Sequence, residues 1–210
     1  MTVAVPLRRR GRPPKDQAGT SQTRAALVRA GVAALTEKGF AATGLDEVLT
    51  AAAVPKGSFY HYFDSKEAFG AALIDAYAAY FATKLDRHFR EETVPPLDRF
   101  CRFIDDARAG MARHDFRRGC LIGNLGQEMA ALPEAYRQRL LDVFADWQAR
   151  TAACLRAARD DGQIPPTADC DALAEFFWTG WEGAVLRAKL ERRVEPLDRF
   201  AQHFFRLLGC

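Results

Sequence analysis

The chain has 210 residues, 49% apolar and 27% charged, which is typical of a globular protein of one or two domains and excludes a fibre or a disordered chain. Its longest segment without an acidic or basic side chain, residues 119–127, is far shorter than the ~20 apolar residues of a membrane-spanning helix, so a membrane partner is excluded. The net charge of +3 is concentrated at the front, since residues 1–66 carry ten Lys or Arg against five Asp or Glu and residues 67–210 carry 20 against 22, which indicates contact with a polyanion there.

Residues 1–19 are predicted to form a flexible basic arm. They hold three prolines, two glycines and five basic residues, with too few large apolar side chains to fold alone. The run Arg10-Gly11-Arg12-Pro13 resembles the core of an AT-hook, whose arginines enter the narrow minor groove of A·T-rich DNA. Arg10 and Arg12 are therefore expected to contact DNA, and the alternative is a solvated tail that binds polyanions without specificity.

Residues 20–66 have the pattern of three short helices. The first follows the possible caps Thr20 and Ser21, ends at Gly39 and places four apolar residues on one side, Ala25, Val28, Val32 and Leu35. The second starts near Leu45 and stops before Val54-Pro55, because a proline disfavours helical geometry in the residue before it. The third is predicted from Lys56 to Phe63.

Residues 67–210 continue with helical periodicity. Local start signals precede each apolar stripe, namely Asp64-Ser65, Pro95-Pro96, Pro133, Asp169 and Pro196. No stretch of alternating β-branched residues competes with these helices. The predicted fold class is all-α, with an N-terminal three-helix domain and a larger C-terminal helical body.

Two short helices joined by Ala53-Val54-Pro55 have the arrangement of a helix-turn-helix, although an ordinary corner between helices has the same spacing. Phe59 and Phe63 are placed to anchor the third helix. Its other side lacks bulky aliphatic residues and suits close approach to base edges and phosphates. That side consists of Lys56, Gly57, Ser58, Tyr60 and His61.

Residues 40–67, FAATGLDEVLTAAAVPKGSFYHYFDSKE, resemble the signature of the TetR family of transcriptional repressors. The resemblance implies a helix-turn-helix over about residues 44–63, in which Lys56, Gly57 and Ser58 read bases in the major groove. It places four further residues against the phosphate backbone, Thr43, Tyr60, His61 and Lys66. It also implies that residues 67–210 sense an effector and form a homodimer through the last two helices, from about residue 169 to 208.

Two positions depart from the family pattern. Gly44 replaces the usual hydroxyl cap of the second helix, a change that costs only a few tenths of a kcal/mol. Ala53 replaces the glycine of the turn, and the cost is about 1–2 kcal/mol if the backbone there has a positive φ. The turn is therefore a place where the winding of this chain can differ.

The five cysteines are odd in number and form no C-x-x-C pair, which is typical of reduced thiols in the cytoplasm and predicts neither a disulfide scaffold nor a metal site. Cys101 and Cys154 fall on apolar stripes and are expected in the core. Cys120 follows Arg117 and Arg118 and precedes a predicted helix, so cations and a helix N-terminus are expected to favour its thiolate. The alternative for Cys120 is a small buried apolar residue.

The segments GCLIGNLGQE and GWEGAVLRAKLE resemble a subgroup of TetR repressors that respond to electrophiles, with types that control N-ethylmaleimide reduction or acrylate use. By this resemblance Cys120 is a reactive cysteine, and Lys189 is the lysine to which it is linked on oxidation. Capture of a sulfenic acid by nitrogen is a known reversible branch of thiol oxidation. The alternative for Lys189 is an ordinary charge on a helix surface.

Four aromatic residues could line an effector cavity, namely Phe103, Trp147, Trp178 and Trp181. In an all-helical body such residues are more often plain core. Glu182 beside them is unusual for a core position, and exposure to water is the simpler explanation for it.

These features favour a homodimeric repressor that binds a near-palindromic DNA operator in the cytoplasm and needs no cofactor. The expected effector is a small electrophile or oxidant acting through Cys120, and the alternative is an acrylate-like ligand bound reversibly. An enzyme is disfavoured, because the four histidines are isolated and no catalytic or nucleotide-binding motif is present. An architectural DNA-binding protein would leave the large helical body without a role.

Overall fold

A computed structural model of the protein describes residues 17–209, and across this range it contains helices and no strands. The predicted all-α class is confirmed. The expected arm contacts of Arg10 and Arg12 lie outside the described residues, as does Cys210. No helix within this range combines the length and apolar character that crossing a bilayer requires.

Eight α-helices and two short 3₁₀ helices follow one another along the described chain. The N-terminal elements are α1 (Gln17–Lys38), α2 (Leu45–Ala51) and a 3₁₀ helix (Lys56–His61). The body contains α3 (Lys66–Phe89), α4 (Pro96–Ala112), α5 (Leu121–Gln127), α6 (Glu134–Asp160), α7 (Cys170–Glu191) and α8 (Glu195–Leu207). A second 3₁₀ helix (Met129–Ala131) follows α5.

Several helix starts are as predicted because they are decided within a few residues. The Ser65 hydroxyl accepts from the N–H of Ala68 at 3.0 Å, and the Asp169 carboxylate accepts from the N–H of Ala172 at 3.1 Å. The start of α1 differs from the prediction, since residues 17–19 are helical and the expected caps at residues 20 and 21 lie inside the helix. Two of the three added residues, Gln17 and Ala18, are good helix formers, whereas Gly19 is not.

The core lies where α3, α4, α6, α7 and α8 meet and is rich in aromatic side chains. Cys154 is buried there, as predicted, and its thiol donates to the carbonyl of Pro96 at 3.4 Å. The prediction for Cys101 is wrong, because this residue is exposed. Successive helical residues are turned by about 100°, so Phe100 faces the core while Cys101 beside it faces outward.

The N-terminal helices are joined to the body through α5 and α6. The Asn124 amide of α5 donates to the carbonyl of Leu35 at 2.8 Å. Glu128, directly after α5, accepts from the N–H groups of Phe40 and Ala41 at 2.9 and 3.0 Å. The Tyr136 ring of α6 packs edge-on against Phe40 with 5.8 Å between the ring centres, while its hydroxyl donates to the carbonyl of Glu67 in α3 at 2.7 Å. The contacts of Asn124 and Glu128 satisfy backbone groups at and just after the end of α1 and hold it against the body.

Candidate functional site

The turn between α2 and the 3₁₀ helix contains a positive φ at Ala53, the position where the family pattern has glycine. Ala53 has φ +54°, in the left-handed region that an L-residue adopts at a cost. Around it the N–H of Val54 donates to the carbonyl of Leu49 at 2.9 Å. The third predicted helix is present as a 3₁₀ helix that ends at His61 rather than Phe63. Phe59 anchors it and is fully buried.

The side of the 3₁₀ helix opposite Phe59 is open and polar. Tyr60 is 69% exposed, which is high for a large aromatic side chain. The Lys56 ammonium lies 2.5 Å from the Asp46 carboxylate, and both side chains are largely exposed. A Cβ placed on Gly57 would meet no protein atom within 4 Å, so packing does not require this glycine. We call the exposed residues of this side the outer face, and they are Lys56, Gly57, Tyr60 and His61.

The other predicted DNA contacts differ in their surroundings. Ser58 is half-buried beside the outer face. The Lys66 ammonium lies 4.7 Å from the centre of the Phe40 ring at the start of α3. Thr43 is only 4% exposed, and its hydroxyl donates to the Gly39 carbonyl at 2.6 Å. The one donor of the Thr43 hydroxyl is thus used inside the protein, and its contact with a phosphate stays a prediction.

A cavity of about 290 Å³ lies between the C-terminal half of α1 and helices α3, α4 and α7. We call it the effector cavity. Of the four aromatic residues predicted to line it, Trp181 does so. Phe103, Trp147 and Trp178 are buried behind the wall, where the Trp178 indole donates to the Thr151 hydroxyl at 2.9 Å. The placement of these three is corrected, since they fill the core between α4, α6 and α7. The aromatic wall also includes Tyr77, Tyr80 and Phe81 of α3.

Cationic side chains surround much of the effector cavity. They come from α1, α3 and the segment after α4, and they are Arg29, Lys84, Arg113 and Arg118. The Lys84 ammonium lies 3.3 Å from the Asp106 carboxylate, and burial lowers the pKa of Lys84. A small anion that enters the cavity meets several positive charges.

Cys120 lies on the wall of the effector cavity at the N-cap position of α5. The expected activation of its thiol is absent in this conformation. Burial, and next the nearby Glu182 carboxylate, raise the pKa of Cys120 well above its usual value. The neighbouring Arg117 does not offset this effect, because its guanidinium pairs with Glu37 at 2.6 Å.

Glu182 of α7 faces the cavity rather than bulk water, contrary to the simpler expectation. It is half-buried on the cavity wall, and burial raises its pKa to about 7. The absence of a side chain at Gly123 makes room for it, since a Cβ there would collide with the Glu182 carboxylate. The neighbouring Cys120 thiol lowers the pKa of Glu182, but burial has the larger effect.

Lys189 lies close to Cys120 on its other side. Both residues line a crevice of about 10 Å³ between α5 and α7, which has room for about one water molecule. The Lys189 ammonium donates to the Thr36 carbonyl at 3.4 Å, and burial lowers the pKa of Lys189. Cys120 thus separates a ligand-sized cavity from a small crevice that holds a lysine.

Comparison with known proteins identifies the family. Residues 27–73 match the description "Bacterial regulatory proteins, tetR family", and residues 96–204 match "Tetracyclin repressor-like, C-terminal domain". The chain belongs to the TetR family. It is 54% identical over 198 residues to the transcriptional regulator AcuR of Cereibacter sphaeroides, covering 94% of this chain and 90% of that protein.

Two crystal structures of TetR-family proteins support the same assignment. A regulatory protein TetR from Rhodobacter sphaeroides has a TM-score of 0.86 and 55% identity, covering 88% of this chain and 97% of that one. The reduced form of Escherichia coli NemR, named a transcriptional repressor, has a TM-score of 0.76 and 31% identity, covering 86% and 95%. The chain is therefore a DNA-binding transcriptional regulator, as predicted, and not an enzyme. Regulators of this family bind operator DNA and function as dimers.

Three residues of the site were not predicted from the sequence. Tyr77 was not singled out in the sequence, yet it lines the effector cavity together with Cys120. Asn124 and Glu128 lie in the segment that carried the TetR subgroup resemblance, but no local pattern indicates that they bind the end of α1. The signal that could have indicated them is a polar residue in or next to a short apolar helix, because a buried polar side chain requires a hydrogen-bond partner.

Proposed function

We propose that this TetR-family protein represses transcription in the cytoplasm as a homodimer on a near-palindromic operator. It leaves DNA when a small electrophile or oxidant reacts with Cys120. The observation that carries the proposal is the position of Cys120, on the wall of a ligand-sized cavity and at the start of α5. Because α5 also binds the end of α1, a structural change at Cys120 is transmitted to the point where the DNA-binding helices join the body.

Thr36, near the end of α1, provides the contact through which such a change acts. Its carbonyl accepts from the N–H of Gly119 at 2.9 Å, the Asn124 amide at 3.1 Å and the Lys189 ammonium at 3.4 Å. Thr36 also lines the effector cavity. A group attached to Cys120 displaces these donors or presses on α1 directly. A coupling of about 1–3 kcal/mol would weaken operator binding by roughly 5- to 150-fold.

The outer face supports the DNA-binding half of the proposal. Lys56, Gly57 and Ser58 would read base edges, while Tyr60, His61 and Lys66 would hold phosphates. In a homodimer two such faces would enter successive major grooves, so their spacing would decide operator affinity. Arg10 and Arg12 would add minor-groove contacts.

Exposed apolar side chains on α7 and α8 support homodimerisation through these helices. Large apolar residues that face solvent together mark an interaction surface. They include Leu190, which is 73% exposed, and Leu207, which is 57% exposed. Phe176 and Leu186 on α7 are exposed as well.

Lys189 supports a role for oxidants beside electrophiles. An oxidant would convert the Cys120 thiol to a sulfenic acid, and the Lys189 nitrogen would then displace water to form a sulfur–nitrogen bond. Closing this bond would pull Lys189 away from the Thr36 carbonyl. The lowered pKa of Lys189 favours the neutral amine that this step requires.

A second candidate is reversible binding of an acrylate-like ligand, with Cys120 structural. The cations around the effector cavity favour it, since a small carboxylate would be attracted there without forming a covalent bond. The raised pKa of Cys120 also fits a thiol that does not react.

The test measures binding to DNA from the upstream region of the gene by fluorescence anisotropy. Because Cys101 is exposed, the starting protein carries Cys101→Ser and Cys210→Ser, and Cys120→Ser is added for comparison. Each protein is treated with N-ethylmaleimide, freed of excess reagent and titrated. A parallel series adds acrylate without the reagent.

The expected result is loss of affinity after treatment when Cys120 is present and unchanged affinity when it is serine. An equal response to acrylate in both proteins, with no response to N-ethylmaleimide, would support reversible binding instead. Weak binding that is indifferent to DNA sequence would contradict repression at an operator.

A further inference from the structure

The Glu182 carboxylate of α7 lies beside Cys120. Both residues line the effector cavity and the crevice behind it. A Cβ on Gly123 would collide with a Glu182 carboxylate oxygen and would lie 3.7 Å from the Cβ of Cys120, so the carboxylate and the cysteine approach the same point of α5. The Tyr77 hydroxyl of α3 belongs to the same cavity wall, and its effect on Cys120 is to lower the pKa of the thiol. A proton acceptor and a group that favours the thiolate thus border one cysteine.

In the resting protein the thiol form of Cys120 is favoured over the thiolate. Cys120 is only 8% exposed, and burial raises its pKa, whereas the thiolate is the nucleophile. The neighbouring arginines do not help, since Arg117 and Arg118 lie 2.6 and 4.0 Å from the Glu37 carboxylate. Reaction at neutral pH therefore needs a nearby group that takes the proton as the sulfur attacks.

Glu182 has the position and the environment of such a group. It forms no ion pair among the described residues, and the nearest lysine of α3, Lys84, is paired with Asp106. The glycine at position 123 lets its carboxylate approach α5 next to the sulfur. A base works best when its pKa lies near the working pH, and burial brings the pKa of Glu182 to about 7.

We propose that Glu182 is the general base that activates Cys120 towards α,β-unsaturated carbonyl compounds. The Cys120 sulfur bonds to the β-carbon while its proton passes to the Glu182 carboxylate, and the π electrons of the double bond move onto the carbonyl oxygen. The enolate then takes a proton at its α-carbon from Glu182, which restores the carboxylate. The net change is addition of a thiol across a double bond, with nothing oxidised or reduced.

This inference rests on the proposed function, because it requires a reactive Cys120. Other charged groups face the same cavity and would also affect a pH profile. They are Arg29 of α1, Lys84 of α3, Arg113, His114 and Arg118 of the segment after α4, and Lys189 across the crevice. The test therefore compares the rates at which single-residue variants are alkylated at Cys120, and each rate is measured over the whole pH range.

The experiment measures the rate of Cys120 alkylation by N-ethylmaleimide from pH 5.5 to 9, using intact-mass spectrometry. The starting protein again carries Cys101→Ser and Cys210→Ser. Glu182→Gln is compared with Glu175→Gln, a matched change at an exposed position of the same helix. We expect the starting protein and Glu175→Gln to show a rise in rate around pH 7, and Glu182→Gln to lose that rise and react at least tenfold more slowly at pH 7.5.

A purely repulsive role of Glu182 predicts the opposite change in the alkylation rate. If Glu182 only repels the thiolate, its replacement by Gln lowers the pKa of Cys120 and the variant reacts faster at pH 7.5. A faster or unchanged rate would overturn the general-base role while leaving Cys120 as the sensor. No alkylation of Cys120 at any pH would instead contradict the proposed function.

A second variant tests position without removing the charge. Gly123→Ala would push the Glu182 carboxylate from its place, whereas Gly126→Ala on the same helix meets no atom within 4 Å. We expect Gly123→Ala to slow alkylation at pH 7.5 at least fivefold and Gly126→Ala to leave it unchanged. Equal rates in the two variants would overturn the requirement for contact between Glu182 and the thiol.

Discussion

The side-chain amide of Asn124 lies 2.8 Å from the carbonyl oxygen of Leu35 and joins α5 to the end of α1. The same amide lies 3.1 Å from the carbonyl of Thr36, one of the carbonyls that a helix end leaves without a helical partner, whereas the Leu35 carbonyl also accepts from the N–H of Gly39 at 3.1 Å. Cys120 begins the helix that carries Asn124. A short helix of seven residues thus connects the cavity wall to the DNA-binding helices, in addition to the residues of α1 that line the cavity directly.

The first prediction is that Asn124→Ala weakens the coupling between Cys120 and DNA. The free energy of unfolding should fall by about 1 kcal/mol, since the lost hydrogen bonds outweigh the helix propensity of Ala. The loss of operator affinity caused by N-ethylmaleimide should shrink to less than about threefold, because α5 then lacks its hydrogen bonds to Leu35 and Thr36. Anisotropy titrations before and after alkylation measure this change.

The matched control is Gln127→Ala, at an exposed position of the same helix. It should retain the full response to alkylation. If Asn124→Ala also retains the full response, the signal does not pass through this amide, and direct pressure on α1 from the cavity becomes the remaining route.

The second prediction concerns the turn of the helix-turn-helix. Ala53→Gly should raise the free energy of unfolding by about 0.5–1 kcal/mol, because relief at φ +54° exceeds the entropy that glycine adds to the unfolded chain. Ala52→Gly is the control, since Ala52 has φ −85° and gains no such relief. Urea unfolding should give Ala53→Gly a higher free energy of unfolding than the parent and Ala52→Gly a lower one. The reverse order would show that the turn carries no strain.

The third prediction separates DNA contact from folding at Gly57. A methyl group at this position meets no protein atom within 4 Å, so Gly57→Ala should leave the stability unchanged or slightly raised. If DNA approaches the outer face closely, the same methyl group should lower operator affinity at least tenfold. Gly126→Ala has equally open surroundings and serves as the control, since it lies in α5 away from the outer face. Equal affinity of the two variants would argue against close approach at Gly57.

The features that were predictable from the sequence are local ones. Helix starts at Ser65 and Asp169 depend on a side chain and a backbone N–H three residues apart, and both were correctly assigned. The positive φ at Ala53 was raised as a condition by the family resemblance, since the family has glycine at this position of the turn. Family resemblance added predicted DNA contacts that local rules could not supply, and it did not indicate that Thr43 is buried.

The features that were not predictable depend on residues far apart in the chain. Local charge indicated an activated Cys120, but Glu182 of α7 and burial reverse that expectation. Periodicity places Trp178 and Trp181 inward alike, and it cannot tell that Trp181 borders a cavity while Trp178 is core. Whether an inward residue meets a void or another side chain is decided by helix packing, which the sequence pattern does not contain.

The last prediction is a pH dependence of stability caused by Glu182. Its pKa is about 7 in the folded protein against an ordinary value of 4.5. Because folding favours the protonated carboxyl group, the stabilisation is complete below about pH 4.5 and is lost as the pH rises through about 7. The loss amounts to at most about 3 kcal/mol.

Glu182→Gln removes this titration while keeping the shape of the side chain. The free energy of unfolding of the variant minus that of the parent should therefore increase between pH 5 and pH 8 and level off above it. Urea unfolding at several pH values measures this difference in free energy. The titration of all other groups largely cancels in it. Glu175→Gln controls for the loss of an exposed carboxylate. A difference that stays constant with pH would mean that Glu182 is charged and well solvated throughout, and it would remove the reason for placing its carboxyl group in the interior beside Cys120.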